Sequence, residues 1–339
     1  MEALFFPSEK IERKILLILK ILRDSSGPIG ARLIARRMYE TGVKLSERAV
    51  RYHLKLMDER GLTRLAGRRD GRLISRKGIE ELDNAMVRDK LGLAISRIEI
   101  LAFRTTFDPV LREGLVPVNI SLIPRERFRK ALSIMRPAFD AGLAVSNLVA
   151  VAPSGGRLGD VTVPEGMMGL ATVCSIIING VLLKKGVPMD SKFGGILQVR
   201  DRKPLRFVEL IYYSGSSLDP SEAFIRAKMT SVGKVVETGE GKILSNFREV
   251  PALCRTLLQN TLSSLNEAGI GGVLSVGEVS EPICQIPVDV NKVGVILLGG
   301  LNPVCCVQEA GIEVENRAMS SVMEYKKLVR FSELKNAGL

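Results

Sequence analysis

Ser46–Leu73 reads SERAVRYHLKLMDERGLTRLAGRRDGRL. Ser46 predicts a helix start, because its hydroxyl can accept a bond from an orphan N–H of the first turn. The helix should run to about Arg60, with Gly61 standing where a left-handed C-cap is expected. Val50, Leu54 and Met57 follow i, i+4, i+7 and form a core-facing stripe. Arg48, Arg51, Tyr52 and Lys55 fall within an arc of roughly 100° on the other side. Beyond Gly61, Leu62–Leu65 and Arg72–Ser75 are short strand-like runs. The loop between them, Ala66–Gly71, has Asp-Gly turn chemistry and two arginines at its tip. A cationic helix face followed by a cationic hairpin is the layout of a winged helix-turn-helix. Arg48, Arg51, Tyr52 and Lys55 are expected to face the DNA major groove, and Arg68, Arg69 and Arg72 to hold the backbone, or the minor groove, from the wing.

The surrounding chain supports this reading. Ser8 can cap a first helix to about Leu22, Ser25–Pro28 breaks it, and a second helix runs from about Gly30 to Tyr39. Ser75 can cap a fourth. Residues 1–80 hold 19 Lys and Arg against 10 Asp and Glu, so +9 of the chain's net +12 lies in its first quarter. Such asymmetry points to one polyanion-binding module on a nearly neutral body. The winged helix is assigned to residues 1–84, a linker to 85–96 and a larger domain to 97–339.

That larger domain contains a duplication, which marks an architecture of repeated units. Glu113–Asn119 recurs as Glu240–Asn246, 127 positions later, and Pro124 recurs as Pro251. Ala141-Gly142-Leu143 recurs as Ala268-Gly269-Ile270. Arg206-Phe207-Val208-Glu209-Leu210 recurs as Arg330-Phe331-Ser332-Glu333-Leu334. The repeats span about 113–210 and 240–334. The fold class expected is α+β: a winged helix, then a regulatory domain of two duplicated half-domains packed about a pseudo-twofold axis. The cleft between such halves is a natural ligand site.

Small, hydroxylated and Gly-rich segments cluster in and after the first copy. They are Thr172–Ser175 with Asn179-Gly180, Ser191–Gly195, Tyr212–Ser217 and Met229–Gly233. Read as loops, they offer N–H groups to a carboxylate or phosphate. Cys174, Ser175, Asn179, Ser191, Phe193, Gly194, Gly195, Tyr213, Ser214, Gly215, Thr230 and Ser231 are the candidate ligand-binding residues. Arg200 and Arg248 are candidate partners for a carboxylate. The second copy has Gly299-Gly300 in place of Cys174-Ser175 and Ala318 in place of Phe193, so an asymmetric site centred on the first copy is expected.

Catalytic machinery is not legible. The one histidine, His53, lies on the third helix, so no Ser-His or Cys-His pair exists in the larger domain. There is no GxxxxGK[ST] phosphate loop. The five cysteines are odd in number and lack CxxC spacing, which argues against a disulfide framework or a metal site and for a reducing cytoplasm. No apolar run is long and Gly-poor enough to span a bilayer, so no membrane partner is expected. A non-enzyme is expected, with two alternatives kept open. One is a bifunctional protein whose second domain is a small-molecule enzyme. The other is an adaptor whose second domain binds only protein.

Ser46–Leu82, Val163-Pro164-Glu165-Gly166 through Gly186, Phe193-Gly194-Gly195, Phe207–Leu210 and Tyr213-Ser214-Gly215 resemble the nitrogen-regulatory repressor family of euryarchaea, NrpR. The resemblance covers nearly the whole chain, with Thr172–Pro188 its most specific run. It implies a winged helix joined to one or two regulatory domains, acting as a dimer or higher oligomer on palindromic operators of nitrogen-assimilation genes. It implies 2-oxoglutarate as the releasing effector, with no cofactor. Some members split the task between two proteins, so a second regulator of the same family is an implied partner.

Overall fold

The computed structural model describes residues 9–25, 27–40, 42–67, 71–83 and 92–336. The chain folds as two units, residues 1–90 and 91–339. The first unit contains α1 (Glu9–Arg23), α2 (Ala31–Glu40), α3 (Glu47–Glu59), β1 (Thr63–Leu65), β2 (Arg72–Ile74) and α4 (Arg76–Asp83). Ile15, Ile18 and Leu19 of α1 meet Ile34 and Met38 of α2 and Val50, Leu54 and Met57 of α3 in a core closed to solvent. Ser46 caps α3 by accepting from Ala49 N at 3.2 Å. Gly61, at φ +71°, ends it: Leu62 N donates to Met57 O and Gly61 N to Asp58 O, the paired bonds of a Schellman turn. Ser8, expected to cap the first helix, lies outside the described residues. Ser75 Oγ does accept from Gly78 N at the start of α4.

β1 and β2 form the wing hairpin, in register Thr63↔Ile74. Ile29 adds a bridge to Arg72. Gly71 permits it: its φ is +90°, and a Cβ there would lie 2.4 Å from the Ile29 carbonyl. The wing is therefore a three-stranded edge tied to the α1–α2 connection.

The second unit begins with a helix that the sequence pattern did not predict. α5 (Leu93–Arg104) occupies part of the expected linker, and its Ala94, Ile98, Leu101 and Ala102 are buried in the core of this unit. The linker thus ends before residue 93.

The duplication is visible as repeated elements. The first copy runs β3 (Leu115–Pro124), α6 (Phe128–Asp140), β4 (Leu148–Ala152), a small hairpin β5 (Arg157–Leu158) and β6 (Val161–Thr162), β7 (Met167–Val173), α7 (Ile176–Lys184), β8 (Asp190–Arg200) and β9 (Lys203–Tyr212). α8 (Pro220–Arg226) and α9 (Val232–Thr238) follow. The second copy runs β10 (Gly241–Pro251), α10 (Arg255–Glu267), β11 (Val273–Val279), β12 (Lys292–Leu298), α11 (Asn302–Glu309), β13 (Glu315–Glu324) and β14 (Val329–Arg330).

The copies are interlocked rather than merely packed. One sheet has the order β11-β12-β10-β8-β9, the other β13-β3-β7-β4-β14. β8 of the first copy pairs with β10 of the second, and β13 of the second with β3 of the first. The helices follow suit: α11 packs on α6, and α7 on α10. Each copy thus gives its second helix and following strand to the other. β3 and β10, equivalent strands of the repeat, are interior strands of the two sheets and are buried along nearly their whole length.

Two local expectations fail. Asn179-Gly180 is not a loop but the middle of α7, whose sequence IIINGVLLK is apolar all round and is buried from Ile176 to Leu182. Gly180 is needed for close packing, since a Cβ there would lie 2.3 Å from Thr105 Cβ of the segment after α5. The repeated Arg-Phe-x-Glu-Leu segments also diverge. Arg206–Leu210 lies in β9, hairpinned to β8 through Asp201-Arg202 at φ +50° and +60°, a type I′ arrangement. Arg330–Leu334 follows a 3-10 turn at Tyr325–Lys327, pairs with β4 only through Val329 and Arg330, and then becomes 3-10.

Candidate functional site

On the first unit, Arg48, Arg51, Tyr52 and Lys55 are all exposed on one side of α3. Arg51 pairs with Glu47 at 2.5 Å and Lys55 with Glu59 at 4.0 Å. These are solvated i,i+4 pairs, worth little and easily exchanged for phosphate or base contacts. Arg72 is different. Its Nε donates to Asp58 Oδ2 at 2.8 Å, while Thr63 Oγ1 donates to Asp58 Oδ1 at 2.5 Å. It is the clamp between wing and α3, not the free backbone contact expected of it. Arg68 and Arg69 lie outside the described residues. His53 is buried, and its pKa is lowered by burial and then by the Lys14 charge, so it packs as a neutral ring.

In the second unit, a pocket forms where β3 and β10, one from each sheet, meet the segments after β7 and β9. Asn119 of β3 and Asn246 of β10, equivalent positions of the repeat, both line it. Asn246 accepts from Tyr213 OH at 2.5 Å and donates to Ser175 Oγ at 3.3 Å. Asn119 Oδ1 accepts from Met319 N at 3.0 Å, within a bulge of β13 where Met319 takes φ +50°. Gly300 also lines the pocket, and a Cβ there would lie 2.5 Å from Asn119 Nδ2.

Arg248 sets the electrostatics. It is 1% exposed, and Nη2 donates to Ser175 Oγ at 3.2 Å. Nε and Nη1 have no partner, and no carboxylate pairs with it among the described residues. A guanidinium stripped of water with two idle donors is costly unless an anion joins it. Burial pushes its pKa down, opposed by Tyr213 and Cys174. Cys174 is pushed up to about 11 by burial, so its thiol stays protonated and forms a wall rather than a nucleophile. Burial, and then Asp219, raise Tyr213 as well. Asp219 caps α8, with Oδ1 accepting from Ser221 N and Glu222 N.

Of the expected ligand residues, the fold brings Cys174, Ser175, Tyr213 and Arg248 to one pocket. Ser191 is the register partner of Arg248 and accepts from Asn179 Nδ2 at 3.1 Å behind it. Phe193 is buried among Phe207, Tyr212 and Phe247, and Gly195 lies beneath Phe207. Gly194 lets Tyr213 and Pro220 close over β8, since a Cβ would lie 2.8 Å from Pro220 Cβ. Ser191 and Gly194-Gly195 are strand residues whose register is fixed by β10, not an N–H-donating loop. Arg200 is exposed at the far end of the β8–β9 hairpin, away from the pocket. Ser214 and Gly215 are exposed in a 3-10 turn. Thr230 donates to Glu309, and Ser231 accepts from Lys242 N, at another surface. The pocket is not confined to the first copy, on which the expected site was centred: Asn246, Arg248, Gly300 and Met319 come from the second. Asn119, Asn246 and Asp219 went unread. For the asparagines there was a signal: a polar residue recurs in phase within an apolar strand of both repeats.

Among the described residues no group of side chains could hold a metal ion, and no helix is long and apolar enough to cross a membrane.

Residues 91–330 match the family model described as NrpR regulatory domains NRD1 and 2, and residues 16–82 match the ribonuclease R winged-helix domain. The chain is 39% identical to the global nitrogen regulator NrpRI of Methanosarcina mazei over 94% of this chain and 98% of that protein. It is 33% identical to the global nitrogen regulator NrpR of Methanocaldococcus jannaschii over 94% of this chain, spanning only 55% of that longer protein. A crystal structure of a nitrogen repressor-like protein from Methanococcus jannaschii aligns with 71% of this chain and 99% of its own at a TM-score of 0.60 and 27% identity.

Proposed function

The chain belongs to the NrpR family of nitrogen regulators, and from that premise we propose that it is a DNA-binding repressor of nitrogen-assimilation genes, released by 2-oxoglutarate. The observation that carries the ligand reading is Arg248, a buried guanidinium with two unpartnered donors in a pocket between the two copies. One carboxylate of the ligand takes Nε and Nη1 as a bidentate pair. Asn119, Asn246, Tyr213 and Ser175 are within the pocket for the remaining oxygens. As it stands the cavity has a volume of about 20 Å³, room for a single water. A dicarboxylate several times larger must part its walls. The bulge at Arg317–Ser321, which supplies Met319, is the wall we assign to that movement. Because the lining comes from both copies, filling the pocket changes how they sit together. The ligand drives release only to the extent that it prefers the arrangement that binds DNA poorly.

Titration calorimetry of the full chain against 2-oxoglutarate, succinate and phosphate tests this reading. Saturable binding of 2-oxoglutarate that weakens operator binding in a gel shift is expected, and no binding sinks it. Cys174→Phe fills the pocket, so operator binding should persist while release by ligand is lost. Normal release would move the site elsewhere.

The operator is engaged by the exposed face of α3, with a palindromic site and a homodimer as the proposed assembly. The cytoplasm is the proposed compartment. Arg51→Ala should cost roughly 1–3 kcal/mol of operator binding and relax specificity at one base position. Unchanged affinity in a binding titration would remove α3 from the groove. No enzymatic role is proposed: the pocket thiol and phenol are held protonated by burial.

A further inference from the structure

Two polar groups of opposite sense line the pocket. Arg248 offers donors, and Asp219 offers an acceptor. Asp219 is 5% exposed and lines the pocket. Its Oδ1 is used twice as the cap of α8, and the Ser221 side chain adds a further hydrogen bond to the carboxyl. An ionised Asp219 brings a negative charge into the space that a 2-oxo dicarboxylate must enter. At short range in a water-poor site that repulsion is severe, and the ligand itself has no proton to offer. The conflict disappears if the carboxyl is an acid, because Oδ2–H then becomes a donor.

We infer that Asp219 is a specificity-determining residue of the ligand site, binding 2-oxoglutarate as a carboxylic acid whose Oδ2–H donates to a ligand oxygen. This rests on the ligand reading above. At a pH above the pKa of the empty site, entry of the dianion therefore takes up one proton from solvent, which stays on Asp219, and no bond of the ligand is made or broken. The surroundings favour that partner for the proton. Burial raises the Asp219 pKa, and it outweighs the pull toward the ionised form from α8's backbone N–H groups, the Ser221 side chain and Arg97 of α5. Glu222, on α8, is also raised by burial but already accepts from Ala318 N. Tyr213 and Cys174 are already protonated, and Arg248 already carries its proton. Asp219 is thus the pocket group among those described that can gain a proton while keeping its backbone hydrogen bonds.

The consequence is a linkage. Between the pKa of the empty site and the higher pKa of the filled one, affinity should fall about tenfold per pH unit. It also sets a preference: an α-amino acid, whose ammonium would keep Asp219 ionised, binds without proton uptake if it binds at all.

Calorimetry of the full chain with 2-oxoglutarate, at one pH in two buffers of different ionisation enthalpy, reads the proton directly. Uptake of about one proton per ligand is expected. Asp219→Asn retains the cap, since asparagine is as good an N-cap. It should bind 2-oxoglutarate with no proton uptake and with an affinity that no longer depends on pH. Wild-type binding with no proton uptake at any pH, and with an affinity that does not fall as the pH rises, overturns the role of Asp219 and leaves the ligand reading intact. So does an Asp219→Asn variant that keeps the uptake. If the wild type does not bind 2-oxoglutarate in either buffer, the ligand reading falls, and this inference with it.

Discussion

Replacing Arg248 with methionine should raise the melting temperature and, on the ligand reading proposed above, should remove the response to 2-oxoglutarate. The two effects share a cause. Without ligand, Arg248 is a buried charge whose Nε and Nη1 bond to nothing. Burying such a group is unfavourable, and exchanging a buried ion for an apolar side chain of similar volume is often stabilising, by roughly 1–4 kcal/mol. For a unit of this size each kcal/mol moves the melting temperature by about 2–4 °C. On that reading, the same guanidinium would be the ligand's only cationic partner, because no other cation lines the pocket among the described residues. Truncating one member of a buried charge pair costs about 2–5 kcal/mol, on the order of 30- to 5000-fold in Kd. Calorimetry and a thermal melt on the same preparation give both numbers. A variant that is less stable and still responds would make Arg248 a structural residue and place the ligand elsewhere.

Lys192→Met should destabilise the second unit by about 3–5 kcal/mol, the usual cost of leaving a buried charge unpaired. Lys192 Nζ meets Asp190 at 2.9 Å, Glu249 at 3.1 Å and Asp289 at 2.9 Å. Glu249 is 1% exposed, and its one hydrogen bond accepts from Asp289 N. Without the ammonium, Glu249 must stay charged away from water or take a proton. Adding Glu249→Gln should recover part of the loss, because a neutral amide no longer needs the cation. Urea unfolding of the single and double variants measures this, and equal stability of wild type and Lys192→Met would refute it. The pH dependence has two sides. Burial pulls the Lys192 pKa down, but its three carboxylates together outweigh that and raise it. Its share is therefore complete below the unfolded lysine value and is lost only as pH climbs through the folded one. Asp289 is held down, first by Lys192, so its share is present above the unfolded aspartate value and is lost as pH falls through the folded one. The cluster therefore holds across neutral pH. It also sits at the β8–β10 junction, in register Glu249↔Asp190, where one copy's strand joins the other copy's sheet.

Part of the candidate pocket was legible in the residues. Cys174, Ser175, Tyr213 and Arg248 were read from small-residue composition and the need for a cation, and the fold brings them together. Arg200, Ser214, Gly215, Thr230 and Ser231 were read by the same rule and lie elsewhere. The rule fails because glycine and serine have two uses. They make loops, and they let layers approach closely, as Gly194 does beneath Pro220 and Gly180 beside Thr105. Composition alone does not separate the two.

The sequence by itself determined the winged helix down to the Ser46 cap and the Gly61 stop, because those signals are local and act within a single turn of chain. It also determined that the second unit is built twice, since like segments fold alike. Only the tertiary structure decided which copy each segment serves. α7–β8 and α11–β13 cross over because strand pairing is a choice between distant partners of nearly equal pattern, and a repeat makes both candidates look the same. That crossing brings Asn119 and Asn246, 127 residues apart, into one pocket and leaves Arg248 inside it without a counter-ion.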